Sequence, residues 1–269
     1  MASRADEATL RGRSRAGRAA ASRTSAKTLT AGQRWLFVFA LLHAMGDVHP
    51  HALKAQLARE LSRLTFERWA KSNRQTGKVI FNNSGFEAVE AALKTAILAT
   101  GKRGVIAFEG AYHGLGYGAL NATHREHFRG PFRSQLQEFG NFLPFPKTKA
   151  ELRPLTAAAE KIFRRDKIGA ILVEPMQARG GINIPPPGFL KLLRKLCDEH
   201  GALLILDEIY TGFGRTGKWF ACEHSGVIPD LICLGKALTG GFPLSACVGR
   251  TEVMDAAWPA SQGEAIHTS

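Results

Sequence analysis

The sequence predicts an α/β domain built on a mostly parallel sheet with helices on both faces. Three apolar runs read as fully buried strands, and amphipathic or alanine-rich segments of helical character lie between the predicted strands. Strands that are apolar along their whole length need cover on both sides, so helices must pack on each face of the sheet. The three runs are IGAILVEP (168–175), ALLILDE (202–208) and DLICLGK (230–236).

The first half of the chain predicts a helix, a strand, a second helix and a second strand. Residues 50–69 place leucines at helical spacing between basic residues, which indicates an amphipathic helix. GKVIFNNSG (77–85) reads as a strand closed by a tight turn. Strong helix formers follow directly and stop at Gly101, and GVIAFEG (104–110) is the next strand.

The second half repeats this alternation with longer loops. A glycine-rich loop and a proline-containing polar stretch come first. AAAEKIFRRDK (157–167) and FLKLLRKLCDEHG (189–201) are the predicted helices, and the second ends at Gly201. Each of the two helices precedes one of the apolar strands, as a parallel sheet requires.

Charge and composition divide the chain into three predicted parts. Residues 1–34 carry eight basic and two acidic residues, a net +6 of the total +13, with few apolar side chains. We expect a basic, disordered leader there, a helical segment at 35–75 and one large domain at 76–269. Overall usage, 45% hydrophobic and 22% charged, is typical of a folded protein.

Three interpretations of the leader stay open, and the rest of the chain limits the classes of partner that we expect. An arginine-rich, acid-poor start suits a transit peptide, a basic arm on nucleic acid, or a leader without a role. A nucleic-acid partner is not expected, because no binding module follows. Four cysteines without C-x-x-C pairing favour a reducing, cytoplasmic location and no metal site. The apolar run 35–45 is too short to span a membrane.

Four polar sites follow predicted strands, where ligands gather in open α/β sheets. Ser84, Gly85 and Phe86 open a helix, so their backbone N–H groups could seat a phosphate, although Ser84 could simply cap the helix. Asp207, buried after an apolar strand, needs a cationic partner such as a protonated ring nitrogen, or else forms a structural salt bridge.

The other two sites are a lysine and an aromatic ring. A strand-end lysine such as Lys236 can attack an aldehyde if its pKa is lowered, although most such lysines are inert. Tyr112 could lie over a flat heterocycle, or be an ordinary loop aromatic. Together the four sites are the parts needed to hold a phosphorylated pyridine aldehyde.

Several segments resemble the successive signatures of the class-III, fold-type-I aminotransferases, which use pyridoxal 5'-phosphate. These segments are NSGFEAVEAALKTA, AYHG, LVEPMQ, LLILDEIYTGFGRTGKWFA and PDLICLGKALTGGFPLSA. The resemblance implies the large cofactor-binding domain of that fold, a homodimer, and amino transfer from an amine or amino acid donor to a 2-oxo acid. Isomerase and decarboxylase chemistry on the same cofactor stays open.

The resemblance also implies a role for each matching residue. Lys236 corresponds to the Schiff-base lysine, which also moves the proton, and Asp207 to the partner of the pyridine nitrogen. Gly85 and Phe86 fall where backbone amides hold the phosphate, and Tyr112 where a ring stacks on the cofactor. Tyr210 lies where a side chain often reaches the phenolic oxygen.

The chain departs from the family pattern in three ways. Arg179 replaces a glutamate of several relatives, and we expect it to meet a substrate carboxylate. The C-terminal small domain has no counterpart, and a basic leader stands where strands are expected. The chain is therefore predicted to be a fragment, with a non-catalytic remnant or assembly partner as the alternative. The match of residues 212–217 to G-x-G-x-x-G lacks the following helix of a dinucleotide site.

Overall fold

The computed structural model describes residues 52–70 and 75–259, so the predicted basic leader lies outside the described residues. The strands are β1 (Gly77–Asn82), β2 (Gly104–Phe108), β3 (Gly140–Leu143), β4 (Ile168–Val173), β5 (Leu203–Asp207), β6 (Leu231–Leu234) and β7 (Ser245–Arg250). The α-helices in this part of the chain are α1 (Ala52–Ser62), α2 (Gly85–Thr100), α3 (Tyr117–Ala122), α4 (Glu126–Arg129), α5 (Leu152–Arg165), α6 (Phe189–His200) and α7 (Thr251–Ala257).

The strands form a seven-stranded sheet in the order β1-β7-β6-β5-β4-β2-β3. The five strands from β6 to β3 pair in parallel, whereas β7 runs antiparallel to both of its neighbours, β6 and β1. The prediction of a mostly parallel sheet is confirmed. The strands β3 and β7 were not predicted, because the first has only two apolar residues and the second is built largely from small residues.

Helices cover both faces of this sheet, as predicted. Along β4, Ile171 and Val173 belong to a core cluster shared with α5 and α6, while Ala170 and Leu172 belong to a second cluster shared with α2 and α7. Successive side chains of a strand point to opposite faces, so an entirely apolar strand supplies both cores. The same alternation continues through β5 and β6.

Two predicted helices have different limits in the structure. The helix predicted over 50–69 is α1 followed by a π-helical turn at Arg63–Glu67. The helix predicted from 157 begins earlier, as α5 at Leu152, where Pro154 lies in the first turn and costs no helical hydrogen bond. Within the part of the chain that the structure describes, no helix is both long and apolar enough to cross a membrane.

Candidate active site

The predicted helix start, acid and lysine lie close together at the carboxyl edge of the sheet. β5 ends at Asp207, and its parallel neighbour β6 ends two residues before Lys236. Ile209 connects this edge to α2. A Cβ atom on Gly85 would lie 3.0 Å from Ile209 Cδ1, and a Cβ on Gly235 would lie 3.3 Å from Ile209 Cγ2. One side chain therefore contacts the start of α2 and the residue before the lysine.

Asp207 is held by a histidine that the sequence alone does not single out. Its Oδ2 lies 2.8 Å from His113 Nδ1, and its Oδ1 accepts a hydrogen bond from the Ile209 N–H at 3.1 Å. The His113 N–H donates to Thr123 Oγ1 at 3.0 Å, which fixes the loop that carries the ring. Both side chains are buried, and His113 Nε2 has no hydrogen-bond partner among the described residues.

A second buried acid, Glu174, lies beside this pair. It directly follows β4, and its carboxylate accepts hydrogen bonds from the backbone N–H groups of Tyr112 and Ala178 at 3.1 and 3.2 Å. Burial raises the pKa of Glu174 to about 7; interaction with His113 opposes this shift and the charge of Asp207 adds to it. The site therefore contains two carboxyl groups in close electrostatic contact.

The start of α2 offers backbone N–H groups, but its serine is already engaged. Ser84 N and Oγ both donate to Glu87 Oε2 at 2.7 Å, so Ser84 acts as the cap of the helix. The first backbone bond of the helix runs from Glu87 N to Ser84 O. The N–H groups of Gly85 and Phe86 precede it and have no acceptor within the helix, as is usual in a first turn, and such groups can bind an anion. Ser245 Oγ donates to Ser84 O at 2.6 Å and ties the start of α2 to β7.

The two tyrosines predicted for the site each carry an arginine on the ring. Arg179 Cζ lies 4.5 Å from the Tyr112 ring centroid, and Arg215 Cζ lies 4.5 Å from that of Tyr210. Lys236 Nζ lies 5.8 Å from the Tyr210 centroid. The structure thus brings Tyr112 to Arg179 and Tyr210 to Lys236. Arg215 was not predicted from the sequence.

The amine of Lys236 is shifted toward its reactive form. Partial burial lowers its pKa, the positive charges of Arg179 and Arg215 lower it further, and Asp207 and Glu174 oppose the shift. A lysine with a lowered pKa is uncharged more of the time, and only the uncharged amine attacks an aldehyde. The backbone of Lys236 has φ +42°, in the left-handed region that side chains other than glycine rarely adopt.

The signal that identified Asp207 also applies to the two residues that were not predicted. Glu174 is a carboxylate directly after a fully buried strand, and His113 lies in the loop after another one, β2. Their importance becomes visible only in three dimensions, because His113 and Asp207 are far apart in sequence.

The G-x-G-x-x-G match does not open a dinucleotide-binding helix, and the closely spaced histidines of the described residues have other contacts. Residues 212–217 form turns and bends that lead to a 3₁₀ helix at Ala221–His224, and no α-helix begins there. His124 Nδ1 accepts the Gly110 N–H at 3.2 Å, and His127 packs on a phenylalanine ring. In residues 52–70 and 75–259, no group of three or more histidine, cysteine or acidic side chains is arranged to hold a metal.

Comparison with known protein families is consistent with this arrangement. The model of the family described as aminotransferase class-III matches residues 38–267, which is most of the chain. The chain belongs to the class-III aminotransferases. The family resemblance noted in the sequence is thereby confirmed.

Two relatives in this aminotransferase family illustrate how much of a longer protein the chain covers. It is 42% identical over 239 residues to an acetylornithine aminotransferase of Methanopyrus kandleri, covering 82% of this chain and 58% of the relative. It is 46% identical over 169 residues to an acetylornithine aminotransferase of Methanosarcina acetivorans, covering 63% of this chain and 40% of the relative. The matched part thus spans about half the length of these relatives.

Proposed function

We propose that this chain carries the cofactor-binding half of a pyridoxal 5'-phosphate-dependent transaminase, which moves an amino group from an amine or amino acid to a 2-oxo acid. The observation that carries the proposal is the meeting of Lys236, the His113–Asp207 pair and the start of α2 at one edge of the sheet. Family membership supports it independently.

The described residues fit this cofactor in its three chemical parts. The Gly85 and Phe86 N–H groups, at the positive end of a 16-residue helix, suit a phosphate. A buried carboxylate at Asp207 suits a protonated pyridine nitrogen. A lysine with a lowered pKa suits an aldehyde.

Each residue then has a definite task. Lys236 would hold the cofactor through Nζ, and the same nitrogen would move the substrate proton. Asp207, oriented by His113, would keep the ring nitrogen protonated, while Ser84 caps α2 and so orients the Gly85 and Phe86 N–H groups that would bind phosphate. When bound, pyridoxal phosphate supplies an electron sink for the negative charge that develops on the substrate carbon.

The aromatic and basic side chains around the lysine receive the rest of the cofactor and the substrate. Tyr112 supplies an aromatic surface for the ring, and Tyr210 lies beside the amine of Lys236. Arg179, an exposed guanidinium next to Tyr112, binds a substrate carboxylate. The names of the two relatives make acetylornithine the first amino donor to test.

We extend the proposal to assembly and location. A homodimer follows from the family resemblance. A cytoplasmic location is supported by the four cysteines, which are all free and buried.

The decisive experiment is covalent capture of the cofactor by the full chain. Incubation with pyridoxal phosphate should produce a yellow absorbance, and borohydride reduction followed by peptide mapping should place the label on position 236. Lys236→Ala is expected to abolish both signals. Lys195→Ala, which removes an exposed lysine paired with Glu199 on α6, should leave them unchanged. A colourless wild-type chain, or a label on another lysine, would refute the proposal.

A further inference from the structure

Glu174 is a buried carboxyl group at the candidate active site for which the proposed chemistry has no task. Its relative exposure is 6%, and it directly follows a strand in which every residue is buried. A buried carboxylate is costly unless its oxygens are hydrogen-bonded. Here both oxygens accept backbone N–H groups, one from Tyr112 and one from Ala178. Hydrogen bonds therefore hold both oxygens of the Glu174 carboxylate in place.

Those two hydrogen bonds hold the backbone at or next to each residue of one stacked pair. Tyr112 and the residue after Ala178, Arg179, form the stack in which the guanidinium lies 4.5 Å from the ring centroid. The loop after β2 carries the ring, and the loop after β4 carries the arginine. A single carboxylate thus joins the backbones of two loops that are otherwise separate in sequence.

Glu174 also belongs to a group of four interacting titratable side chains at this edge. The titratable groups that face it are His113 from the loop after β2, Asp207 at the end of β5 and Lys236 after β6. Because burial places the pKa of Glu174 at about 7, the charge of this group changes in the neutral range. A proton on either oxygen weakens that oxygen as the acceptor of its N–H group and removes one negative charge from beside Lys236.

We propose that Glu174 is a positioning residue of the cofactor site, which as a carboxylate holds the Tyr112 and Arg179 loops together and sets the charge beside Asp207 and Lys236. The inference rests on the proposed function, since it concerns the same cofactor. It predicts that the site is well organised above neutral pH and loosens as Glu174 takes up a proton.

The effect of pH on stability through Glu174 has the opposite sign to that of an acid whose pKa is lowered in the folded state. The pKa of Glu174 is higher in the folded chain than its ordinary value of 4.5, so the folded state binds the proton more tightly. The contribution of Glu174 to the stability of the wild-type chain should therefore fall as pH rises from about 4.5 through about 7. Glu174→Gln removes that loss, and its Tm without cofactor should exceed that of the wild type by about 2–4 °C at pH 8, but not at pH 5.

The second measurement is the Kd of pyridoxal phosphate, followed by its absorbance. At pH 8 the Kd of Glu174→Gln should be about tenfold higher than that of the wild type, because the variant loses one hydrogen bond that organises the site. At pH 5.5 the ratio of variant to wild-type Kd should be close to one, because the wild type is then protonated as well. Glu174→Asp keeps the charge, so its ratio to the wild type should not depend on pH.

Glu208→Gln is the matched control. Glu208 is also a fully buried glutamate that accepts two backbone N–H groups, those of Ala221 and Cys222, and burial also raises its pKa. The difference in Tm between this control and the wild type should change with pH, but its Kd for pyridoxal phosphate should stay within about twofold of the wild-type value. A ratio for Glu174→Gln that is constant with pH, or a Tm at pH 8 no higher than that of the wild type, overturns the inference. A wild type without yellow absorbance overturns the proposed function and the inference with it.

Discussion

The two ends of the sheet both contain buried acids, but only one end neutralises them completely. At the amino end, Asp230 precedes β6 and is 1% exposed, and Arg194 and Arg250 each approach it to 2.6 Å. The backbone N–H of Leu204 donates to it at 2.7 Å. At the carboxyl end, Asp207 pairs with one histidine, Glu174 accepts two backbone N–H groups, and the nearby lysine lies over a tyrosine ring.

This difference distinguishes a structural site from the candidate binding site. Asp230 has little capacity for another partner, because two guanidiniums and a backbone N–H already bind it. Through these partners it connects α6, β5 and β7. The charge of Asp207 instead raises the pKa of Glu174 and opposes the lowering of the Lys236 pKa, without forming such a closed network. Incomplete neutralisation at a strand end is what a site needs if a charged ligand is to supply the remaining partners.

The largest expected effect tests the structural end. Asp230→Ala leaves two guanidiniums without their shared partner and should lower the free energy of unfolding by about 3–5 kcal/mol, measured by urea denaturation. Asp198→Ala removes the exposed partner of the same Arg194 and should cost less than about 1 kcal/mol. Equal losses for the two variants would remove the basis of the comparison.

The next effect tests the binding end. Asp207→Asn keeps the size of the side chain but cannot stabilise a protonated ring nitrogen, so kcat in the transaminase assay should fall about 100-fold or more. Its effect on stability should be smaller than that of Asp230→Ala. Asp198→Asn is the control and should keep its kcat. An Asp207→Asn variant with wild-type kcat would show that this acid is as structural as Asp230.

The smallest effect concerns the rim of the site. Arg179→Ala should raise KM for substrates with an α-carboxylate about tenfold, because one charge-assisted hydrogen bond is lost, and should leave substrates without it unchanged. Arg153→Ala, at an exposed position of α5, is the control. A uniform change in KM for both substrate classes would mean that Arg179 acts only through its stack on Tyr112.

The sequence was sufficient where local pattern determines structure. β4, β5 and β6 are continuous apolar runs, and α2 and α6 end at the glycines that were predicted. Asp207 and Lys236 were found because a charged residue after such a run is unusual. The pairing partners were not predictable in the same way. The reversed direction of β7 and the bond between His113 and Asp207 depend on contacts between distant segments, and no local preference encodes them.

The reversal of β7 has a consequence for the order in which the chain matures. β1 lies at the edge of the sheet and pairs with β7, and Ser245, the first residue of β7, bonds to the carbonyl of Ser84. A nascent chain that has not yet reached residue 245 lacks both the strand that pairs with β1 and the serine that bonds to the start of α2. During synthesis, the start of α2 therefore gains its contact with β7 only after residue 245 has emerged.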